Sequence, residues 1–133
     1  MGTQYATTGE SPPEDVLTPA FPALVRVDLK AKADTISDEY RNFVVLGVNK
    51  HCVRMAVMTG EYRWHRHPRS DECFLVLEGA LEIDFDDRPT VLLKPGNLFN
   101  IPAGTKHRTR AAVRTVNLCF EDATAYTDVV FEE

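Results

Sequence analysis

The sequence predicts an all-β fold, either a sandwich or a barrel built from many short strands. Short runs rich in Val, Leu, Ile and Phe recur from about residue 21 onward, and several alternate polar with apolar positions, as strands do. Gly, Pro, Asn and Asp residues separate the runs at short intervals, where turns are expected. Only the segment 31–42, AKADTISDEYRN, indicates a helical turn, with Ser37 as a candidate start.

The predicted elements follow a simple order along the chain. Residues 1–19 are rich in Thr, Ser, Pro, Gly and acidic residues, so we expect a tail there. Residues 20–133 are expected to form one domain, because a chain of 133 residues suits a single modest core. The candidate strands are ALVRVDL, NFVVLGV, VRMAVM, CFLVLEG, LEIDF, TVLLK, FNIP and VRTVNLCF.

Composition and charge argue against several classes of partner. The formal net charge is −5 and no long basic run is present, which disfavours nucleic acid and anionic membranes. The first residues lack the pattern of a signal peptide, and no run of about 18 apolar residues predicts a membrane-spanning helix. Cys52, Cys73 and Cys119 are widely spaced and form no C-x-x-C pair. We therefore expect a reduced, cytoplasmic protein without a disulfide framework.

The stretch GEYRWHRHPRSDECFLVLEG, residues 60–79, collects three candidate metal ligands. His65 and His67 are two positions apart, so on a strand both side chains lie on the same face. Glu72 begins the next predicted strand, after a turn at Pro68. If the two strands pair, Glu72 faces the histidines and one hairpin supplies all three ligands.

A second stretch, GNLFNIPAGTKH, adds a candidate fourth ligand. Pro102 and Gly104 bend the chain just before His107, so that rigid backbone positions this imidazole. Three imidazoles and one carboxylate form a mixed nitrogen and oxygen site that suits divalent Zn, Mn, Fe, Co, Ni or Cu. The predicted metal ligands are His65, His67, Glu72 and His107.

The two stretches resemble the two motifs of the cupin superfamily. The first motif, G(X)5HXH(X)3,4E(X)6G, is matched by Gly60, His65, His67, Glu72 and Gly79, with one residue fewer before the first histidine. The second motif, G(X)5PXG(X)2H(X)3N, is matched by Gly96, Pro102, Gly104 and His107, although Ala111 stands where Asn is usual. The resemblance covers residues 40–121 and implies a small antiparallel β-barrel of jelly-roll type, also called a double-stranded β-helix. The chain is also similar to small single-domain cupins described as mannose-6-phosphate isomerase-like.

Three other side chains are candidate substrate-binding residues. Arg63 has the same strand parity as the histidines and suits a carboxylate or phosphate, unless it leans toward the barrel mouth and solvent. Phe74 and Phe99 suit the apolar wall of a pocket, and they suit a plain core equally well. Tyr62 and Trp64 alternate to the opposite face, where packing is expected.

Two classes of function stay open. The first is a metal-dependent enzyme of isomerase or dioxygenase type that acts on a polar small molecule, such as a sugar derivative or an oxo-acid. In such an enzyme Glu72 either stays a ligand or serves as the catalytic base. The second class is a non-catalytic domain that binds or senses a small molecule, with or without metal. Acids or bases beyond the ligand set would favour the enzyme, and the clearest polar neighbours of His107 are Thr105 and Thr109.

A homodimer is also expected, because cupins that resemble this chain are commonly dimers. Trp64, Leu75 and Leu77 lie on the predicted outer faces of strands and leave more apolar surface than a monomer tolerates. The segment 1–30 is a candidate to add a strand to the sheet of the partner.

Overall fold

Nine strands and two short helices form the part of the chain that the structure describes, residues 18–133 of a computed structural model. In chain order they are α1 (Leu29–Asp34), β1 (Tyr40–Val48), β2 (His51–Glu61), β3 (His65–Arg66), β4 (Glu72–Glu78), β5 (Leu81–Phe85), β6 (Val91–Leu93), β7 (Leu98–Ile101), β8 (His107–Asp122), α2 (Ala125–Asp128) and β9 (Val130–Phe131).

The long strand β8 joins the two halves of the sheet. One edge of β8 pairs with β2 and, at His107, with β3, and its other edge pairs with β5 in the first half and with β4 in the second half. Every pairing is antiparallel, and β1, β6, β7 and β9 extend the sheet from these strands. Because one continuous strand serves both halves, the sheet curls into a half-open barrel. The predicted antiparallel β-barrel of jelly-roll type is confirmed.

Strand alternation divides the apolar side chains between two clusters. On β4, Phe74 and Val76 are buried inside the barrel, whereas Leu75 and Leu77 point outward. The inner cluster is formed by Tyr40, Met58, Phe74, Val76, Leu81, Ile83, Phe85, Leu93, Ile101, Ala111 and Cys119. The outer cluster is formed by Ala33, Ile36, Phe43, Val45, Met55, Val57, Val116 and Leu118.

Helix α1 contributes to the outer cluster through the fully buried Ala33. The helix begins earlier than the sequence predicts, because the Asp28 side chain caps it by accepting the N–H of Ala31 at 3.0 Å. Ser37 starts no helix, and the run ALVRVDL forms no strand but leads into α1. Leu75 and Leu77 pack against the outer cluster, so the chain itself covers much of the apolar surface assigned to a dimer interface.

The predicted tail, residues 1–19, lies outside the described residues apart from its last two positions. Immediately after it, the N–H groups of Ala20 and Phe21 donate to the carbonyls of Val44 and Val45 at 2.9 and 3.1 Å. All three cysteines carry free thiols. No helix in the described part of the chain is long and apolar enough to span a membrane.

Candidate metal centre

The four predicted ligands converge inside the barrel. The ligand atoms of His65, His67 and Glu72 lie within 4.8 Å of one another. His107 completes the group, with Nε2 at 3.0 Å from Glu72 Oε1 and its ring centroid 4.5 Å from that of His65. All four side chains are buried, with relative exposures of 1 to 8%.

These ligands do not come from one hairpin, and the expected pairing of the two ligand strands is wrong. Strand β3 pairs with β8 and β9, with His65 opposite His107. Strand β4 pairs with β7 and with the far half of β8, where Glu72 lies opposite Glu121. Since β8 occupies the ladder between them, Glu72 reaches the histidines across the barrel interior.

Each imidazole places its Nδ1 atom against a group that only accepts hydrogen bonds. A carbonyl or carboxylate oxygen has no proton to give, so each Nδ1 must carry the ring proton. The pairs are His65 with the Arg63 carbonyl at 2.7 Å, His107 with the Thr105 carbonyl at 2.9 Å, and His67 with the Ala125 carbonyl and Asp128 Oδ1, both at 3.0 Å.

With Nδ1 protonated, a neutral His67 or His107 presents the bare lone pair of its Nε2 atom to the carboxylate of Glu72. Nε2 of His107 and Oε1 of Glu72 are buried without a hydrogen-bond partner, although they lie 3.0 Å apart. Nε2 of His67 lies 3.4 Å from Oε2 of the same carboxylate. Two acceptors at this distance repel unless a positive charge lies between them. The donor set therefore fits a divalent metal ion.

The electrostatic surroundings keep two of the ligands in the protonation state that metal binding requires. Burial alone would raise the pKa of Glu72, but the neighbouring histidines outweigh it and lower that pKa to about 2. Burial lowers the pKa of His65 to about 4, so this ring is neutral at physiological pH. Burial also opposes the charging of His67, yet attraction to Glu72 and Asp128 raises its pKa.

A second buried polar group adjoins the ligands, and sequence reasoning missed it. Arg54 donates from Nε to Glu121 at 2.9 Å and from Nη1 to Asn42 at 3.1 Å. The thiol of Cys119 donates to Glu121 at 3.4 Å and lies 4.0 Å from Glu72. Burial and the charge of Glu72 raise the pKa of Glu121 to about 7.

The signal for this group was the charge of Arg54 within the apolar run VRMAVM. Alternation places that side chain on the inner face of β2, where a charge requires a buried partner. One candidate ligand atom from each of Glu72, Cys119 and Glu121 also lies within 4.8 Å of the other two, as in a metal site. The guanidinium of Arg54 already supplies positive charge there, so we interpret the group as a polar extension of the first site.

One residue near the histidines, Tyr62, differs from the expected alternation. Residues 62–64 are not in a strand, so parity does not decide where their side chains point. Tyr62, expected on the opposite face, packs against the inner cluster with its ring centroid 5.0 Å from that of His65. Arg63 pairs with Glu133 at 2.8 Å and lies over the ring of Phe131 at 4.1 Å.

The other candidates occupy the places that their residue types suggest. Phe74 belongs to the inner cluster and Phe99 packs against it. Trp64 is half-buried and lies beneath the side chains of Lys106 and Arg108. Substrate binding by Arg63, Phe74 and Phe99 stays a prediction.

Comparisons with known proteins agree with the motif and the fold. Residues 53–119 match the family model described as Cupin domain. The chain is 53% identical over 106 residues to the uncharacterized protein YdbB of Bacillus subtilis, covering 80% of this chain and 94% of that protein.

Two solved structures share the fold. One is a cupin-2 domain containing protein from Shewanella frigidimarina, with 27% identity and a TM-score of 0.68, covering 72% of this chain and 93% of that one. The other is protein NMB1881 from Neisseria meningitidis, with 21% identity and a TM-score of 0.67, covering 74% of this chain and 99% of that one.

Proposed function

Because this chain belongs to the cupin domain family, we propose that it is a metal-dependent enzyme acting on a polar small molecule, by isomerase or oxygenase chemistry. The observation that carries the proposal is the convergence of three imidazoles on one buried carboxylate. A sugar derivative or an oxo-acid is the substrate class proposed, because both offer oxygens that chelate a metal. The mannose-6-phosphate isomerase-like subtype and the cytoplasmic location are parts of the same proposal.

His65, His67, His107 and Glu72 would hold the metal, which we propose to be Zn, Mn, Fe, Ni or Cu. When bound, the ion supplies Lewis-acid polarisation of a substrate oxygen. The contacts of both Glu72 oxygens favour a permanent ligand, since Oε1 lies 3.0 Å from His107 Nε2 and Oε2 lies 3.4 Å from His67 Nε2. The role of Glu72 as the catalytic base stays a prediction.

The polar groups beyond the ligand set favour an enzyme over a binding domain. Arg54 brings a guanidinium into the barrel, where it suits an oxyanion of a substrate. Cys119 and Glu121 add a thiol and a second carboxylate beside Glu72. The sequence alone offered few such groups, so this support comes from the structure.

The first test is the metal content of the purified protein. We expect the wild type to carry or accept one divalent ion per chain, measured by elemental analysis after identical handling of all variants. His67→Ala removes an imidazole ligand and should abolish tight binding while the barrel still folds. Glu72→Gln keeps the shape and removes the charge, so it should weaken binding less.

His51→Ala is the matched control, because His51 is exposed at the start of β2 and belongs to neither group of candidate ligands. It should leave the metal content unchanged. A wild type that cannot be loaded with Mn, Fe, Ni, Cu or Zn would contradict the metalloprotein proposal.

The second test is turnover by the metal-loaded protein. It should convert more than one equivalent of a sugar phosphate or an oxo-acid, and proton NMR measures the conversion. Saturable binding without turnover would instead favour the non-catalytic binding or sensing domain.

A further inference from the structure

The C-terminal segment, residues 125–133, lies beyond the part of the chain that matches the cupin model, yet it contacts the candidate metal ligands directly. Asp128 accepts the Nδ1 proton of His67 through Oδ1 at 3.0 Å, and its Oδ2 accepts the N–H of Arg69 at 2.8 Å. The carbonyl of Ala125 is a second acceptor for the same Nδ1, also at 3.0 Å. Both oxygens of a carboxylate that is only 7% exposed are therefore fixed against the ligand loop.

The same segment also holds the neighbouring ligand strand. Strand β9 pairs antiparallel with β3, with Phe131 opposite His65 and the two ring centroids 6.2 Å apart. Glu132 pairs with Arg66 at 2.9 Å, and its N–H donates to the carbonyl of Trp64 at 3.0 Å. Without β9, the two residues of β3 would be paired along one edge alone, at His65 opposite His107.

We propose that Asp128 is a positioning residue for the metal site and that the C-terminal segment completes that site. The inference rests on the proposed function, because it concerns the same metal. A carboxylate hydrogen-bonded to a ligand imidazole fixes the tautomer and the direction of the ring, and it makes the other nitrogen a stronger donor. Asp128 does this for His67, and its distance of 61 positions along the chain explains why no local motif reveals it.

The test compares Asp128→Ala with Asp122→Asn. Asp122 is the last residue of β8, and it accepts from the N–H and hydroxyl of Thr124. The substitution Asp122→Asn removes one negative charge from the same region and leaves every hydrogen bond to a metal-site histidine in place. We expect Asp128→Ala to weaken Zn²⁺ or Co²⁺ binding by about 10- to 100-fold in a chelator competition, and the control to change it by less than about twofold. The visible spectrum of bound Co²⁺ should change in Asp128→Ala and stay as in the wild type in the control.

A second measurement needs no metal. In the metal-free wild type, the Nδ1 proton of His67 should be visible by NMR and protected from exchange. In Asp128→Ala it should exchange faster, because one of its two acceptors is gone. If Asp128→Ala does not fold, Asp128→Asn takes its place. It keeps an oxygen acceptor but loses the charge, so metal binding should weaken and the Nδ1 proton should exchange faster, because a neutral acceptor makes a weaker hydrogen bond.

Unchanged metal affinity in a folded Asp128 variant would overturn the inference while leaving the metal proposal intact. A wild type that binds no metal would overturn the proposed function. In that case the exchange of the His67 ring proton decides the inference, and an unchanged rate in the variant would show it to be wrong.

Discussion

His65 and His67 lie two positions apart, yet their surroundings push their affinities for protons in opposite directions. Burial lowers the pKa of His65 to about 4. His67 is also buried, but Glu72 and Asp128 outweigh the burial and raise its pKa above the ordinary value of about 6.5. One ring is therefore held neutral, whereas the other binds a proton more readily than a free imidazole does.

This difference predicts the pH dependence of metal binding. A metal must displace a proton bound to a ligand, so a raised pKa weakens binding as pH falls through that pKa. As the pH is lowered, we expect the metal affinity to begin to fall at a pH above about 6.5, where His67 takes up a proton. His65 should add to this loss only near pH 4. NMR titration of the ring carbons in the metal-free protein, alongside Zn²⁺ affinity from pH 4 to 8, measures both steps. Equal pKa values for the two rings would contradict the prediction.

At the scale of elements, the turn between β4 and β5 fixes the position of the strand that carries Glu72. Gly79 occupies this turn with φ of +88°, and a Cβ atom there would lie 2.5 Å from both the Arg114 carbonyl oxygen and Thr115 Oγ1. The hydroxyl of Thr115 donates to the Ala80 carbonyl at 3.0 Å and accepts the N–H of the same residue at 3.1 Å. The motif requires glycine here both for the left-handed backbone and for the lack of space.

Gly79→Ala should consequently destabilise the protein far more than a glycine substitution in an open turn. We expect a loss of about 2–5 kcal/mol in the free energy of unfolding, from left-handed strain together with a steric clash. Gly96→Ala is the control, because Gly96 has φ of +87° and nothing within 4 Å of the added Cβ. It should cost only about 1–2 kcal/mol. Urea denaturation of both variants gives the comparison, and equal losses would contradict the steric argument.

At the scale of the whole molecule, the expected homodimer remains a prediction, and the structure changes the argument for it. Leu75 and Leu77 pack on the outer cluster of their own chain, so they do not require a partner. The apolar surface that a dimer would cover is instead formed by Leu24, which is fully exposed with φ of +69°, and by the neighbouring exposed Val25. Light scattering at micromolar concentration should give twice the 15.0 kDa mass of the chain. A monomer mass would contradict the dimer, and Leu24→Ser should shift a true dimer toward the monomer.

The sequence by itself determined the all-β class, the two motifs and the four candidate ligands, because these depend on local signals. Strand periodicity, glycines in turns and the spacing of histidines each involve only a few residues, so they can be recognised without knowing the fold. Alternation also placed Leu75 and Leu77 on the outer face of β4, as the structure has them.

Only the tertiary structure decided how the ligands meet and what supports them. Periodicity fixes which face a side chain occupies but not which strand lies beside it, so the expected hairpin was wrong and β8 lies between the ligand strands. Strand periodicity also fails to predict the direction of a side chain where the chain leaves a strand, and Tyr62 therefore lies beside His65. Asp128 and Glu121 reach the site from positions far along the chain, because closing the barrel brings them there. Long-range contacts of this kind depend on the path of the whole chain, which no local pattern records.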